Sequence, residues 1–315
     1  MLSQQQMQHF QQQGYLVVED VLSPAQLGAV QVEYAQRLDA LYRDWFRQGK
    51  VQAPADGLDF RGQLEQCRQA GVDWFQPLDI SLPGDNIRAD TPIHFGPAIF
   101  AIVTSPRVLD LVESLIGPEI TSNPIQHVRI KPPQRLLPDA EVRAHITYTD
   151  WHQDRGVVHA EADNTRFVTV WVAITDATVE NGCLQVIPGP HTQLYPHCPK
   201  VQTAIADGFI DETKAKPLPV RAGGVVLFHP LAPHSSLRNV SDTYRWSFDL
   251  RYNVTGEPTG RAHFPDFVAR SRRHPETELH DWRQWRDLWH AARDRAARSP
   301  HIPQHRWTAD SPGCA

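Results

Sequence analysis

Six short runs of β-forming residues follow one another between Ile120 and Val254, and this series constrains the fold more than any other feature of the chain. Glycine, proline, asparagine and aspartate separate the runs, as they do between strands. The runs are "HVRIKPP", "ITYTDWHQD", "RFVTVWVAI", "GCLQVIPG", "GVVLFHP" and "YRWSFDLRYNV". Strands spaced this closely form two facing sheets, so the pattern predicts an all-β core of the jelly-roll or barrel type.

Helix signals precede and follow this series. Ser23-Pro24 and Ser105-Pro106 each supply an N-cap serine followed by a first-turn proline. After each pair the apolar side chains recur about every 3.6 residues, and the second helix is expected to end at Gly117. A short polar helix at the start, a strand in "YLVVEDVL", a short helix near 60–70 and an amphipathic C-terminal helix complete the prediction.

The chain has 315 residues, of which 41% are apolar, enough to bury a substantial core. Large β-barrels of this length are often single domains. We therefore predict one domain, made of a helical N-terminal part (1–118), a β core (about 119–255) and a C-terminal helical tail (256–315).

Composition argues against several classes of partner. The net charge of −5 gives no reason to expect nucleic acid or an anionic membrane surface. The apolar runs are too short to span a bilayer, and the first residues lack a signal-peptide pattern. The four cysteines are scattered, with no CxxC spacing. These features predict a cytoplasmic protein with reduced thiols, and they leave the oligomeric state open.

Asn181-Gly182 lies between two predicted strands. This dipeptide is the strongest short signal for a β-hairpin, because both central residues of its turn need a positive φ. We expect a hairpin here, with a structural role only.

Two similar pairs compete for a metal ion. His152 and Asp154 are two residues apart in a predicted strand, so their side chains share a face. His159 and Glu161 have the same spacing but lie in a polar stretch that predicts a loop. A histidine near an aspartate is more often simply hydrogen-bonded, so the spacing alone is weak evidence. Two histidines and one carboxylate would form the ligand set of non-haem Fe(II) oxygenases.

The run after these pairs predicts a strand with two different faces. One face is purely aliphatic, with Val168, Val170, Val172 and Ile174. The other is mixed, with Phe167, Thr169, Trp171 and Ala173. A mixed face suits a barrel interior that holds a ligand, although the same side chains could simply fill the barrel.

A third metal ligand should come from a later strand, and His229 and His234 are the candidates. The last run also alternates. Its apolar face carries Trp246, Phe248, Leu250 and Tyr252, and its polar face carries Arg245, Ser247, Asp249 and Arg251. Two arginines inside a barrel are costly unless they bind an anion, and the arginine fork matches a carboxylate. The alternative is a solvent-facing sheet with arginine–aspartate pairs.

The ordered set "WHQD", "VTVWVAITDATVENGCLQVIPGPH", "FHPLAPHSSLRN" and "YRWSFDLRYN" resembles the phytanoyl-CoA dioxygenase family. With "GYLVVEDVLS" and "HVRIKPP", the resemblance covers nearly the whole chain. It implies a double-stranded β-helix, of jelly-roll or cupin-like shape, flanked by N-terminal helices and a C-terminal helix. It also implies dependence on Fe(II), O2 and the co-substrate 2-oxoglutarate.

The resemblance assigns roles to particular residues. It implies that His152, Asp154 and His234 hold the iron and that Arg245 binds the far carboxylate of 2-oxoglutarate. The positions implied to assist at the cofactor pocket are Ser236, Lys131, Gln153 and Trp171. It implies that His229 is not a ligand and that the His159/Glu161 pair binds no metal. Arg251 remains a rival to Arg245 as the carboxylate anchor.

The function that follows as an expectation is hydroxylation of an unactivated C–H bond of a small metabolite, with release of succinate and CO2. An aspartate at position 154 favours hydroxylation, desaturation or ring formation over halogenation, because related halogenases carry a small residue there. Absence of a concentrated basic patch favours a small metabolite over an acyl-CoA. The expected selectors of substrate are residues 51–95, 139–146 and 191–216. The alternatives are a zinc hydrolase on a cupin-like barrel and a non-catalytic ligand-binding barrel.

Overall fold

The helices begin where their capping residues predict. This computed structural model describes residues 1–137, 141, 143, 146–200, 203–299, 306–310 and 313–314. Ser3 and Ser23 are the N-caps of capping boxes, and a glutamine at the third helical position closes each box. The α-helices are α1 (Gln4–Gln13), α2 (Pro24–Arg47), α3 (Phe60–Gln69), α4 (Pro97–Val103), α5 (Pro106–Ile116) and α6 (Trp282–Ala296). Only α4 was not expected, because its apolar run carries no helix-specific spacing.

The strands form two main antiparallel sheets and one short two-stranded pair. They are β1 (Tyr15–Val18), β2 (Glu119–Lys131), β3 (Phe167–Ala173), β4 (Leu184–Val186), β5 (His197–Pro199), β6 (Thr203–Ile205), β7 (Lys216–Leu218), β8 (Val225–Phe228), β9 (His234–Ser236), β10 (Arg245–Val254) and β11 (Phe267–Ser271). The larger sheet has the order β1-β8-β3-β10-β2-β11, and the smaller one has the order β7-β4-β9. The remaining pair is β5-β6.

The predicted alternation along β3 and β10 is confirmed. The aliphatic face of β3 and the Trp246–Tyr252 face of β10 join the main core, which the N-terminal helices cover. On the opposite face of the larger sheet, Trp171 and Ala173 pack with Leu184 and Val186 of the smaller sheet. Each fully buried aliphatic or aromatic side chain contributes about 1.5–3 kcal/mol to folding. The two sheets therefore face each other across a second, smaller core, as the predicted β-helix requires.

The hairpin predicted at Asn181-Gly182 is wrong. The strands on either side, β3 and β4, belong to different sheets. Gly182 has φ +87°, but Asn181 does not take a positive φ. Instead, its amide group caps the local turn by accepting from the backbone N–H of Thr178 and donating to the carbonyl of Asp176. Such side-chain capping lets the chain cross from one sheet to the other.

The strand predicted for "ITYTDWHQD" is also wrong. His152 makes a single β-bridge, to His234, and Asp154 begins a one-turn 3-10 helix that spans Asp154–Val157. Strand β11, in the part predicted as a helical tail, forms one edge of the larger sheet, and β1 forms the other. Short isolated strands such as β11 carry little sequence signal, because their pairing with a neighbour fixes them.

The thiols are not all reduced. Cys198 and Cys314 form a disulfide across 116 residues, whereas Cys67 and Cys183 are free and buried. Scattered spacing concealed this pair, since only the fold brings the two residues together. No helix in the described ranges combines the length and apolarity needed to cross a bilayer. The predicted substrate-selecting stretch 139–146 lies mostly outside the described residues.

Candidate metal centre

The structure brings His152, Asp154 and His234 together at one end of the space between the sheets. His152 and His234 face each other through two backbone hydrogen bonds of 3.0 Å each. Asp154 reaches the same place because the chain turns into its 3-10 helix there. All three residues are buried, and one possible ligand atom from each lies within 4.8 Å of the others. Within the described ranges, no other group of three such residues could hold a metal ion.

The tautomers of both histidines follow from their backbone contacts. Nδ1 of His152 lies 2.9 Å from the carbonyl oxygen of Asp150, and Nδ1 of His234 lies 3.0 Å from that of Ala232. A carbonyl oxygen only accepts, so each Nδ1 carries the proton and each Nε2 has a free lone pair. Each Nε2 lies 3.8 Å from an oxygen of Asp154. These are the donors that a divalent transition metal takes from a two-histidine, one-carboxylate set.

Asp154 is held by two further side chains. Arg251 donates from Nη2 to Oδ1 of the carboxylate, and Thr169 donates from its hydroxyl to Oδ2 at 2.6 Å. Thr169 also accepts from Nε of Arg251 at 3.3 Å. Burial by itself would raise the pKa of Asp154, but Arg251 and the two histidines together lower that pKa well below its usual range. Asp154 is therefore an oriented anion, as a metal ligand must be.

His152 is neutral at physiological pH. Burial, followed by the charge of the nearby His234, lowers its pKa to about 3 against the opposing effect of Asp154. A neutral imidazole with a free Nε2 is the form that binds a metal. The ring of Phe228 stacks on His234, with 4.3 Å between the ring centroids, and thereby fixes the plane of that ligand.

Arg245 lies at the other end of the same cavity, which His152, His234 and Trp171 also line. It is fully buried, and its Nη1 donates to the hydroxyl of Ser247 at 2.8 Å. Its Nε and Nη2 have no hydrogen-bond partner in the part of the chain that is described. Burial lowers the pKa of Arg245 to about 9, which leaves the guanidinium charged at neutral pH. A buried cation with two unused donors is costly, and an anionic ligand would relieve that cost.

Two more basic side chains lie on β2 beside Arg245. Lys131, directly opposite Arg245 in the sheet, is buried and donates to the hydroxyl of Ser236. Burial, followed by the charges of Arg245 and Arg129, lowers the pKa of Lys131 well below its usual value. Arg129 forms a 2.9 Å ion pair with Asp249, and both residues line the cavity. Basic side chains thus cluster around Arg245, whose guanidinium has donors that no described residue uses.

Several other predicted site residues have a definite place. Trp171 lines the cavity with its ring 5.2 Å from the Arg245 guanidinium carbon, whereas Ser236 and Lys131 contact each other. Gln153, also expected at the cofactor pocket, is not among the residues that line this cavity. Its side-chain nitrogen donates to the carbonyls of Gln193 and Leu231, and its side-chain oxygen accepts from the N–H of Tyr195. Alternation along a strand could not reveal this, since residues 152–154 are not in one.

His229 and the His159/Glu161 pair lie outside the metal cluster. Nδ1 of His229 accepts from the backbone N–H of Leu231 at 3.2 Å. Glu161 is exposed on a separate 3-10 turn, so it cannot share a metal with buried ligands. Sequence reasoning treated Arg251 only as a rival carboxylate anchor and missed its contact with Asp154. Antiparallel register could have found it, because Arg251 lies directly opposite Thr169.

Comparisons with known proteins identify relatives of this chain. A family model described as Phytanoyl-CoA dioxygenase (PhyH) matches residues 10–247. Phytanoyl-CoA dioxygenase domain-containing protein 1 of Danio rerio is 29% identical over 273 residues, which is 78% of this chain and 87% of that protein. The human peroxisomal phytanoyl-CoA dioxygenase is 27% identical over 189 residues, covering 58% of this chain and 52% of the human one.

Solved structures share the fold at low identity. The apo non-heme monooxygenase ThoJ has a TM-score of 0.57 at 19% identity, covering 92% of this chain and 98% of its own. The epimerase SnoN, solved with Fe3+, alpha ketoglutarate and nogalamycin RO, has a TM-score of 0.53 at 20% identity, covering 82% and 87% of the two chains. With the family model spanning most of the sequence, these findings show that the chain belongs to the phytanoyl-CoA dioxygenase family.

Proposed function

We propose that this protein is an Fe(II)- and 2-oxoglutarate-dependent oxygenase that hydroxylates an unactivated C–H bond of a small metabolite. The observation that carries the proposal is the pairing of two features in one cavity. A buried two-histidine, one-carboxylate cluster lies at one end, and a buried guanidinium with two unused donors lies at the other.

His152, Asp154 and His234 would hold the iron through Nε2, a carboxylate oxygen and Nε2. Three ligands leave positions open for co-substrates on the iron. Arg245 would bind the far carboxylate of 2-oxoglutarate through its unused Nε and Nη2. Lys131 and Ser236 would add donors beside it, and Trp171 would cover the guanidinium. When bound, the iron and its co-substrates supply the oxidising power, with release of succinate and CO2.

The side chains of this protein position and protect that chemistry. Arg251 and Thr169 orient Asp154 and keep it ionised at neutral pH. Backbone carbonyls hold the proton on Nδ1 of each histidine, so neither ring needs to lose a proton to bind iron. Phe228 and Leu184 line the cavity and limit the access of water.

The substrate is proposed to be a small metabolite rather than an acyl-CoA. Lys131 and Arg245 are buried at the end of the cavity where the co-substrate would bind, and they do not form a surface patch for a CoA diphosphate. Residues 51–95 and 191–216 remain the proposed selectors. The cytoplasmic location stays a prediction, and the Cys198–Cys314 disulfide weighs against it because such bonds are rare in reducing compartments.

The test is a screen of metabolite pools with anaerobically prepared protein, Fe(II), 2-oxoglutarate and O2, in which mass spectrometry detects succinate and oxygenated product. We expect substrate-dependent succinate from the wild type and none from His152→Ala or Asp154→Ala. Glu161→Ala, a matched change on the pair outside the cluster, should behave as the wild type. A zinc hydrolase would turn over substrate without O2 or 2-oxoglutarate, and a binding protein would produce no succinate with any pool.

A further inference from the structure

The end of the chain lies across the turn that carries Asp154. The indole Nε1 of Trp307 donates a 2.6 Å hydrogen bond to the carbonyl oxygen of Gly156, inside the 3-10 turn Asp154–Val157. Arg306 donates to the carbonyl of Arg155 at 3.5 Å and forms an ion pair with Asp163. Two successive residues near the C-terminus therefore hold the backbone that follows the metal-ligating carboxylate.

His197 connects the same C-terminal residues to the other side of that turn. Its ring stacks on Trp307, with 5.3 Å between the centroids and 24° between the planes. Its Nε2 accepts from the backbone N–H of Gln153 at 3.0 Å, and its Nδ1 donates to the carbonyl of Tyr195 at 2.8 Å. Gly156 permits this approach, because a Cβ there would lie 2.3 Å from the His197 ring.

A covalent bond fixes this arrangement. Cys198, next to His197, is bonded to Cys314, and the sulfur of Cys314 also lies 3.4 Å from the carbonyl oxygen of His197. The disulfide joins the β5 strand to the C-terminal residues, so Trp307 is held between α6 and a covalent attachment point. His197, Trp307 and the disulfide are not among the proposed metal ligands, and they do not line the cavity that contains Arg245.

We propose that residues 306–310 and 313–314 form a strap that positions the Gln153–Val157 turn for metal binding, with His197 and Trp307 as positioning residues and the Cys198–Cys314 disulfide as its fastening. The effect on metal affinity rests on the metal centre proposed above. The effect on the turn itself does not, because it follows from contacts within the chain.

The fastening makes the strap sensitive to thiol reductants. A dithiol reductant would give two electrons and two protons to the disulfide, yielding free thiols at Cys198 and Cys314 and the oxidised, cyclic reductant. The S–S bond of the protein breaks, and an S–S bond forms in the reductant. Trp307 would then keep its stacking on His197 and its hydrogen bond to Gly156 but lose the covalent attachment nearby, and the turn would open more often.

The primary experiment measures hydrogen–deuterium exchange of residues 153–157 in the full-length, metal-free protein. Trp307→Phe keeps an aromatic ring but removes the hydrogen bond to Gly156, and Cys314→Ser removes the disulfide. We expect exchange in this turn to quicken by about tenfold in either variant, and in the wild type after dithiol treatment. Trp282→Phe, the same change in α6, and Cys67→Ala, which removes a free thiol, should leave this exchange as in the wild type.

A titration with Co(II) measures the consequence for the metal centre. Loss of a group that orients metal ligands typically weakens affinity 10–100-fold, so we expect the Kd for Co(II) to rise about tenfold in Trp307→Phe and Cys314→Ser. If the wild type bound no Co(II), the proposed metal centre would fail, while the exchange data would still decide whether the strap exists.

Three results would overturn the strap. The first is unchanged exchange at 153–157 in both variants. The second is an unchanged Kd for Co(II) in variants of a wild type that does bind it. The third is alkylation of Cys198 and Cys314 in unfolded protein that has not been reduced, since a disulfide would protect both.

Discussion

Arg245 and Arg251 lie on the same face of β10, six residues apart, yet their surroundings differ completely. Arg251 is paired with a buried carboxylate, Asp154, and with the hydroxyl of Thr169. Arg245 donates to the Ser247 hydroxyl and lies over the face of Trp171, and two of its donor nitrogens have no partner among the described residues. Between them, Asp249 is already paired with Arg129. A paired buried charge completes the fold, whereas an unpaired one marks the place of a ligand.

The largest expected effect is on stability, and the two arginines should differ in its sign. Arg251→Leu leaves Asp154 as a buried anion without its partner, and breaking a buried pair in this way costs about 3–5 kcal/mol. Arg245→Leu removes a buried cation that has no carboxylate partner, so it should leave the free energy of unfolding unchanged or raise it by about 1–3 kcal/mol. Urea unfolding of the metal-free proteins measures both. An equal loss of unfolding free energy in the two variants would contradict the difference proposed between the two arginines.

The second prediction concerns the co-substrate. Arg245→Leu should raise the apparent KM for 2-oxoglutarate about a hundredfold, because hydrogen bonds to a charged group contribute about 1.5–3 kcal/mol each. Arg251→Leu should change this KM far less when metal is saturating. Arg245→Lys is the matched control, since it keeps the charge but lacks the forked guanidinium. Its KM for 2-oxoglutarate should lie between that of the wild type and that of Arg245→Leu. The reverse order of the leucine variants would make Arg251 the anchor.

The third prediction concerns metal affinity, which should depend on the side chains around Arg251 and not on those around Arg245. Thr169→Val removes the hydrogen bond to Asp154 while preserving shape, and we expect the Kd for Co(II) to rise about tenfold. Ser247→Ala removes the corresponding contact of Arg245 and should leave that Kd unchanged. Isothermal titration of both variants gives the answer, and equal Kd values in the two would contradict the proposed division of roles.

The smallest expected effect is on the pH dependence of stability, and it involves His229, which does not line the cavity that contains Arg245. Burial, followed by the charges of Arg155 and His191, lowers the pKa of His229 to about 4. Between this value and about 6.5, the unfolded chain binds a proton at this residue that the folded protein does not, so stability falls as pH falls through that window. His229→Asn keeps an acceptor for the N–H of Leu231. In this variant the unfolding free energy should change less steeply with pH, by up to about 1.4 kcal/mol per pH unit, than in the wild type. An unaltered slope would contradict the lowered pKa of His229.

The faces of β3 and β10 could be predicted from sequence because side chains alternate on any strand, whatever its neighbours. The same rule failed at residues 152–154, where the pair proposed as metal ligands is brought together in another way than the strand pattern predicted. His152 and Asp154 converge because a β-bridge at one residue is followed by a 3-10 turn at the other. The neighbouring Gln153, which alternation would place opposite them, uses its amide to hold the loop at 193–195 instead.

By itself, the sequence determined the β-rich core, the helix starts at serine caps, and the residue types that the centre needs. Periodicity and capping act over a few residues, so a single chain segment contains the information. Only the tertiary structure decided which arginine meets Asp154, which cysteines pair, and that Arg306 and Trp307 contact the turn that carries Asp154. Those outcomes depend on contacts between residues 97 to 151 positions apart, which no local pattern specifies.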